Sequence, residues 1–133
     1  MYSISYVAVV VAAVVNFIIG FMMHGPIAGK LWMKLANITP TGNEKFSDMY
    51  GKMFWNLMVN LVTAYILGTM IVFNHINSAV QGMWLAFFIW FGFISTGSSR
   101  AVIWMGKPYK LWLFEVFSSL LCILAMGAIL GAW

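Results

Sequence analysis

Charge is what this chain has least of. Only 8% of its 133 residues are charged and three are acidic, against about 25% charged in a soluble domain. Hydrophobic residues make up 63%. A water-soluble chain of this length leaves too much surface exposed to hide that much apolar material. A soluble globular domain is therefore excluded, and lipid is the solvent for most side chains. Cysteine is nearly absent too. Cys122 stands alone, which excludes a disulfide framework or a paired-thiol metal site within one chain. Inside an apolar run it reads as a small buried hydrophobe. Catalytic signatures are missing as well: no paired carboxylates, no phosphate-cradling glycine loop and no metal-ligand spacing. An enzyme is thus the least favoured class, and no cofactor is implied. The net charge of +4 does not make a nucleic-acid binder, because the lysines sit in short segments between apolar runs and form no basic stripe. No basic residue precedes the first apolar run, which has the length of a span and not of a signal core.

What is present is four apolar stretches, each near the ~20 residues that cross ~30 Å of hydrocarbon. They predict helices over about 4–23, 42–73 (the span itself from about 53), 79–104 and 109–132. Helices are the default, since every backbone polar group must be paired within its segment, and the runs lack the alternation of a β-barrel. The fold expected is an all-α integral membrane protein, one domain over 1–133, built as a four-transmembrane-helix bundle. The segment 28–36 sets Lys30 and Lys34 beside Leu31, Trp32 and Leu35, as in a short interfacial helix between helices one and two. Ser78 with Gln81, and Thr41 with Glu44, have capping-box spacing. Pro108 suits the first turn of the fourth helix.

All seven basic residues lie in two alternate segments: Lys30, Lys34, Lys45 and Lys52 in one, Arg100, Lys107 and Lys110 in the other. The positive-inside rule makes segments 24–52 and 100–110 cytoplasmic and puts both termini outside. Trp32, Trp55, Trp104 and Trp112 fall near the cytoplasmic interface, and Tyr2, Tyr6, Trp84 and Trp133 near the outer one, as aromatic belts do. Trp90 lies deeper, where packing is its expected role. Asn37-Ile38-Thr39 matches a glycosylation sequon, but on the cytoplasmic side it should stay unmodified.

The polar residues that a bilayer penalises are the candidates for a site. Asn16 is in the first helix. Asn56, Asn60 and Thr63, at i, i+4 and i+7, share a face of the second. Arg100 is near the end of the third, and Glu115 is two turns into the fourth. Ionisable residues within spans face the bundle interior and pair, so Arg100 and Glu115 are each other's expected partner. The set reads either as structural glue between helices or as a cytoplasm-facing pocket for a ligand, ion or proton. Met22, Met23 and His24 are a second candidate, since thioethers and imidazole suit soft Cu(I). Methionine is also a common gap-filler, and neighbouring helical residues point in different directions. Gly127 and Gly131 form a small-residue pair fit for close helix packing, within the chain or between two copies. His75 falls in the short outer segment, with no role assigned.

The motifs Asn16 and Gly20, Gly25-Pro26, Gly29-Lys30-Leu31-Trp32-Met33 and the glycine-rich end from Gly127 to Trp133 together resemble domain of unknown function family 1761. That resemblance implies a four-helix bundle in a bacterial inner membrane and no known activity. The expectation is a non-enzymatic membrane protein, acting as an accessory or self-associating component. Its partners would be the lipid bilayer and a second copy or another membrane protein. The alternative is a small transporter or channel using the polar cluster. A membrane enzyme acting on a lipid or quinone comes third.

Overall fold

The computed structural model describes residues 4–25, 28–36 and 50–133. The Thr41–Glu44 cap, the start of the second helix near 42, Tyr2, Lys45, Pro26 and the 37–39 sequon lie outside the described residues. Within them the chain is helical, with four helices long and apolar enough to cross a membrane. In chain order these are α1 (Tyr6–Met23), the short α2 (Gly29–Leu35), α3 (Tyr50–Phe73), the third span, and α7 (Tyr109–Ala132). The third span runs Ala79–Ile103. It is assembled from α4 (Ala79–Ile89), a π-helical segment (Trp90–Ser95), α5 (Thr96–Ser98) and α6 (Arg100–Ile103).

Local chemistry accounts for the ends. The Ser5 hydroxyl accepts from the Ala8 N–H at 3.2 Å and opens α1. Ser78 does the same for α4, accepting from the Gln81 N–H at 3.2 Å, and each satisfies one orphan donor. α3 ends at Phe73, and His75 just beyond it has a φ of 57°, the left-handed position that terminates a helix. Its N–H and that of Ile76 return to the carbonyls of Val72 and Ile71, each at 3.1 Å. Pro108 stands one place before the first turn of α7, as its extended N-cap.

The third span is not the continuous helix expected over 79–104. The wide turn at Trp90–Ser95 is followed by hydroxyls that compete for its carbonyls. Ser95 Oγ donates to Phe91 O at 3.0 Å, Thr96 Oγ1 to Gly92 O at 2.7 Å and Ser98 Oγ to Ile94 O at 2.8 Å. Such back-bonding loosens the ladder yet gives the Phe91, Gly92 and Ile94 carbonyls partners in a medium without water. Trp90 pins the wide turn: its indole N–H donates to the Val116 carbonyl on α7 at 2.9 Å.

α7 is the central element, packing on α1, on α3 and most extensively on α4, while α3 and α4 barely touch. Small residues allow the approach. Ala12, Ala13, Ala64 and Ala86 are fully buried around Ile123, Met126 and Leu130. The closest contact joins Gly82 of α4 to Gly127 and Gly131 of α7. A β-carbon on Gly82 would land on the Gly127 carbonyl, and one on Gly127 would lie 2.5 Å from the Gly82 oxygen. The outer faces carry Phe88, Phe91, Phe93, Val62 and Trp104, all exposed, as lipid-facing positions should be.

Gly127→Leu should therefore force α4 and α7 apart. Overpacking of a tight contact costs about 1–3 kcal/mol. A clearly lowered melting temperature in mild detergent is expected, whereas Gly97→Leu, at a site where an added β-carbon meets nothing within 4 Å, should leave it nearly unchanged. Equal melting temperatures would contradict the packing.

Candidate functional site: a polar pocket between α1, α3 and α7

Three helices each present a polar face to one another. α1 contributes Asn16, Gly20 and His24, four residues apart and so stacked on one side. α3 contributes Asn60 and Thr63. α7 contributes Glu115, Ser118, Ser119, Cys122 and Met126, again one face. Near mid-helix, Asn16 Nδ2 donates to Asn60 Oδ1 at 3.2 Å and towards Met126 Sδ at 3.4 Å. Asn60 is buried. About two turns nearer the end of α1, the Glu115 carboxylate accepts from Trp32 Nε1 at 2.8 Å and faces His24 Nε2 through both oxygens, at 3.1 and 3.2 Å. The imidazole is held edge-on against Trp32 and Phe114, with ring centroids 5.0 and 5.6 Å away. α2 thus closes the end of the bundle by lending Trp32 to the carboxylate.

The tautomer is fixed by the partners. His24 Nδ1 lies 2.9 Å from the Gly20 carbonyl, which can only accept, so Nδ1 carries a proton. Nε2 then meets Glu115 either as an imidazolium donating to a carboxylate or as a bare nitrogen accepting from a carboxylic acid. The hydrogen bond donated to the Glu115 carboxylate holds the His24 pKa above its ordinary 6.5. Burial acts the other way, and the Gly20 carbonyl adds to the rise. The charged pair is the form this favours.

Two hollows meet at this wall. One, of about 260 Å³, lies among α1, α3, α7 and the π-helical segment, with Asn60, Glu115, Ser118 and Cys122 on its surface. The other, of about 340 Å³, lies between α1 and α3, with Phe17, Phe21, Lys52 and Asn56. Asn16, Gly20, His24 and Asn60 line both. A third hollow of about 220 Å³ on the far side of Glu115 holds Lys107, Ser98 and Trp112. Ser118 is 3% exposed, and its Oγ is the buried side-chain polar atom without a hydrogen-bond partner among the described residues.

The structure gathers Asn16, Asn60, Thr63 and Glu115 around one pocket. It sets Asn56 in the adjoining groove, exposed beside Lys52. Thr63 returns its hydroxyl proton to the Val59 carbonyl at 3.0 Å. The Arg100–Glu115 pair is not formed. The ion pair among the described residues is His24–Glu115, and Arg100 is exposed on α6. The π-helical turn lies between Arg100 and the helix face that meets α7, and each extra residue in a turn rotates the remainder of the helix by about 100°. The set Met22, Met23 and His24 does not converge, because His24 is engaged with Gly20 and Glu115 while Met22 is 41% exposed. Gly127 and Gly131 pack on α4 within the chain. Sequence reasoning missed Trp32, Ser118, Ser119 and Cys122. Their signal was the spacing Glu115, Ser118/Ser119, Cys122, Met126, which marks a polar stripe on an apolar helix.

Four apolar helices around a polar interior define a multi-pass membrane protein. The chain belongs to the family described as Protein of unknown function (DUF1761), which matches residues 7–131. No curated protein and no solved structure matches it.

The His24–Glu115 pair can be tested in two ways. In a double-mutant cycle, His24→Gln and Glu115→Gln should couple by about 1 kcal/mol or more, while Arg100→Met and Glu115→Gln should add independently. Additivity in the first cycle would contradict the geometry. The pH dependence has a fixed sign. A His24 pKa raised on folding means that the folded protein binds more protons than the unfolded chain above pH 6.5. Its contribution is complete below 6.5 and is lost as pH rises through the folded value. Melting temperature should fall over that window, and His24→Gln should flatten the fall.

Proposed function

We propose that the protein is a non-enzymatic membrane carrier that takes a small polar solute into the pocket between α1, α3 and α7. The observation that carries this reading is Ser118. A hydroxyl left unpaired in a low-dielectric interior costs about 1–3 kcal/mol, and here it belongs to a residue that lines a hollow of about 260 Å³ together with amide- and carboxylate-bearing residues. Structural glue pairs its polar atoms, whereas a binding site keeps some in reserve for a ligand. The tight Gly82–Gly127 contact argues against self-association through Gly127 and Gly131, since those glycines are already covered.

The protein would lie in a bacterial inner membrane with both termini outside. The end of the bundle bearing His24, Lys52 and Lys107 would face the cytoplasm, by the distribution of basic residues. The pocket would then open on the cytoplasmic side, through the hollows beside Lys52 and Lys107.

Cys122 supplies a built-in reporter, because it is the chain's single cysteine and lines the pocket. Aminoethyl methanethiosulfonate should modify it in the folded protein in lipid vesicles. Gly20→Phe should slow that reaction markedly, since Gly20 borders both hollows and a β-carbon there meets nothing within 4 Å, so the ring has room to enter them. If folded wild-type protein is as unreactive as Gly20→Phe, while unfolded protein reacts, the pocket is closed to solutes and the carrier reading is wrong.

A further inference from the structure

Resting on the pocket reading, we infer that the ligand is a small alkylammonium ion, and that it binds at Glu115 in exchange for the proton that His24 holds there. Three features of the geometry point to this class. The first is donor supply. Both His24 nitrogens are already spent, Nδ1 on the Gly20 carbonyl and Nε2 on Glu115. An anion entering the pocket would find no free N–H on His24 and would meet the Glu115 charge. The second is acceptor supply. Glu115 and Ser118, one helical turn apart, line the same hollow, the buried Ser118 Oγ has no hydrogen-bond partner among the described residues, and an ammonium group can donate to carboxylate and hydroxyl oxygens alike. The third is substitution. An ammonium N–H can replace the Nε2–H of His24 in the hydrogen bond to Glu115, charge for charge, while Trp32 keeps its bond to Oε1.

The exchange balances without electron transfer. His24 gives its Nε2 proton to water and becomes neutral, keeping Nδ1–H on Gly20. Glu115 stays ionised and pairs with the incoming cation. Among the described residues the charged neighbours are few. Lys107 shares a hollow with Glu115, and Lys52 shares the groove with His24. Both are cations that disfavour a second positive charge, so that proton and ammonium compete for one place. Arg100 lies outside ion-pair distance of Glu115.

The probe is methylammonium chloride, added to the purified full-length protein in weakly buffered detergent solution with a pH indicator. The expected result is release of about one proton for each cation bound, with apparent affinity rising about tenfold per pH unit while His24 is protonated. Tetramethylammonium, which has the charge but no N–H, should bind much more weakly. His24→Gln should bind methylammonium with no proton release and no pH dependence, and Glu115→Gln should not bind it. Should either variant fail to fold, the wild-type proton count and pH series decide alone. Absence of proton release from wild-type protein whose Cys122 is open to the thiol reagent overturns the exchange and leaves the carrier reading standing. A shielded Cys122 overturns both. Equal binding of tetramethylammonium overturns recognition through an ammonium N–H, and with it the exchange at Glu115.

Discussion

Lipid offers no hydrogen bonds, and that constraint shapes everything else in this molecule. Each polar group inside a span must find its partner within the protein. The hydroxyls of Ser95, Thr96 and Ser98 turn back on their own helix. Trp90 reaches across to a backbone carbonyl of α7, and Trp32 is drawn from the short α2 onto Glu115. Asn16 and Asn60 bond to each other. Beside these paired groups the Ser118 hydroxyl, buried and without a partner among the described residues, stands out. In water it would carry no information, since solvent would complete it.

The same constraint explains the division of labour along α7. Its C-terminal half is a packing device in which small residues admit α4 to backbone contact. Its N-terminal half is a polar stripe opposite α1 and α3. One helix thus joins a rigid end to a hollow end. Glu115 sits where the stripe meets the closing turn below α1, and its charge is met there by an imidazole from the end of that helix.

Much of the architecture was legible in the sequence, because apolar runs of span length have few alternatives. The four helices, the Ser78 cap and the polar residues Asn16, Asn60 and Glu115 can be read from hydropathy and spacing. The partner of Glu115 could not. Depth along a helix can be read from residue count, and Arg100 has about the right depth. Rotation about the helix axis is set by the local winding, and the π-helical turn at Trp90–Ser95 alters it in a way no apolar pattern records. His24 was overlooked as a partner because it lies just past the end of α1, where a histidine reads as interfacial. Four-residue spacing from Asn16 through Gly20 to His24 carried the missing information.

α7 is also the last of these helices in chain order, and that has a bearing on biogenesis. α1 and α3 can pair with each other as soon as both are in the membrane. The third span has almost nothing to rest on until α7 arrives, since its glycine contact, its tryptophan anchor and its one extensive interface all lie there. During synthesis it must wait among lipids as a solitary, loosely wound helix, its hydroxyls back-bonded to its own turns. Those back-bonds, which interrupt regular winding in the finished protein, are also what lets the span survive alone in the bilayer before its partner is made.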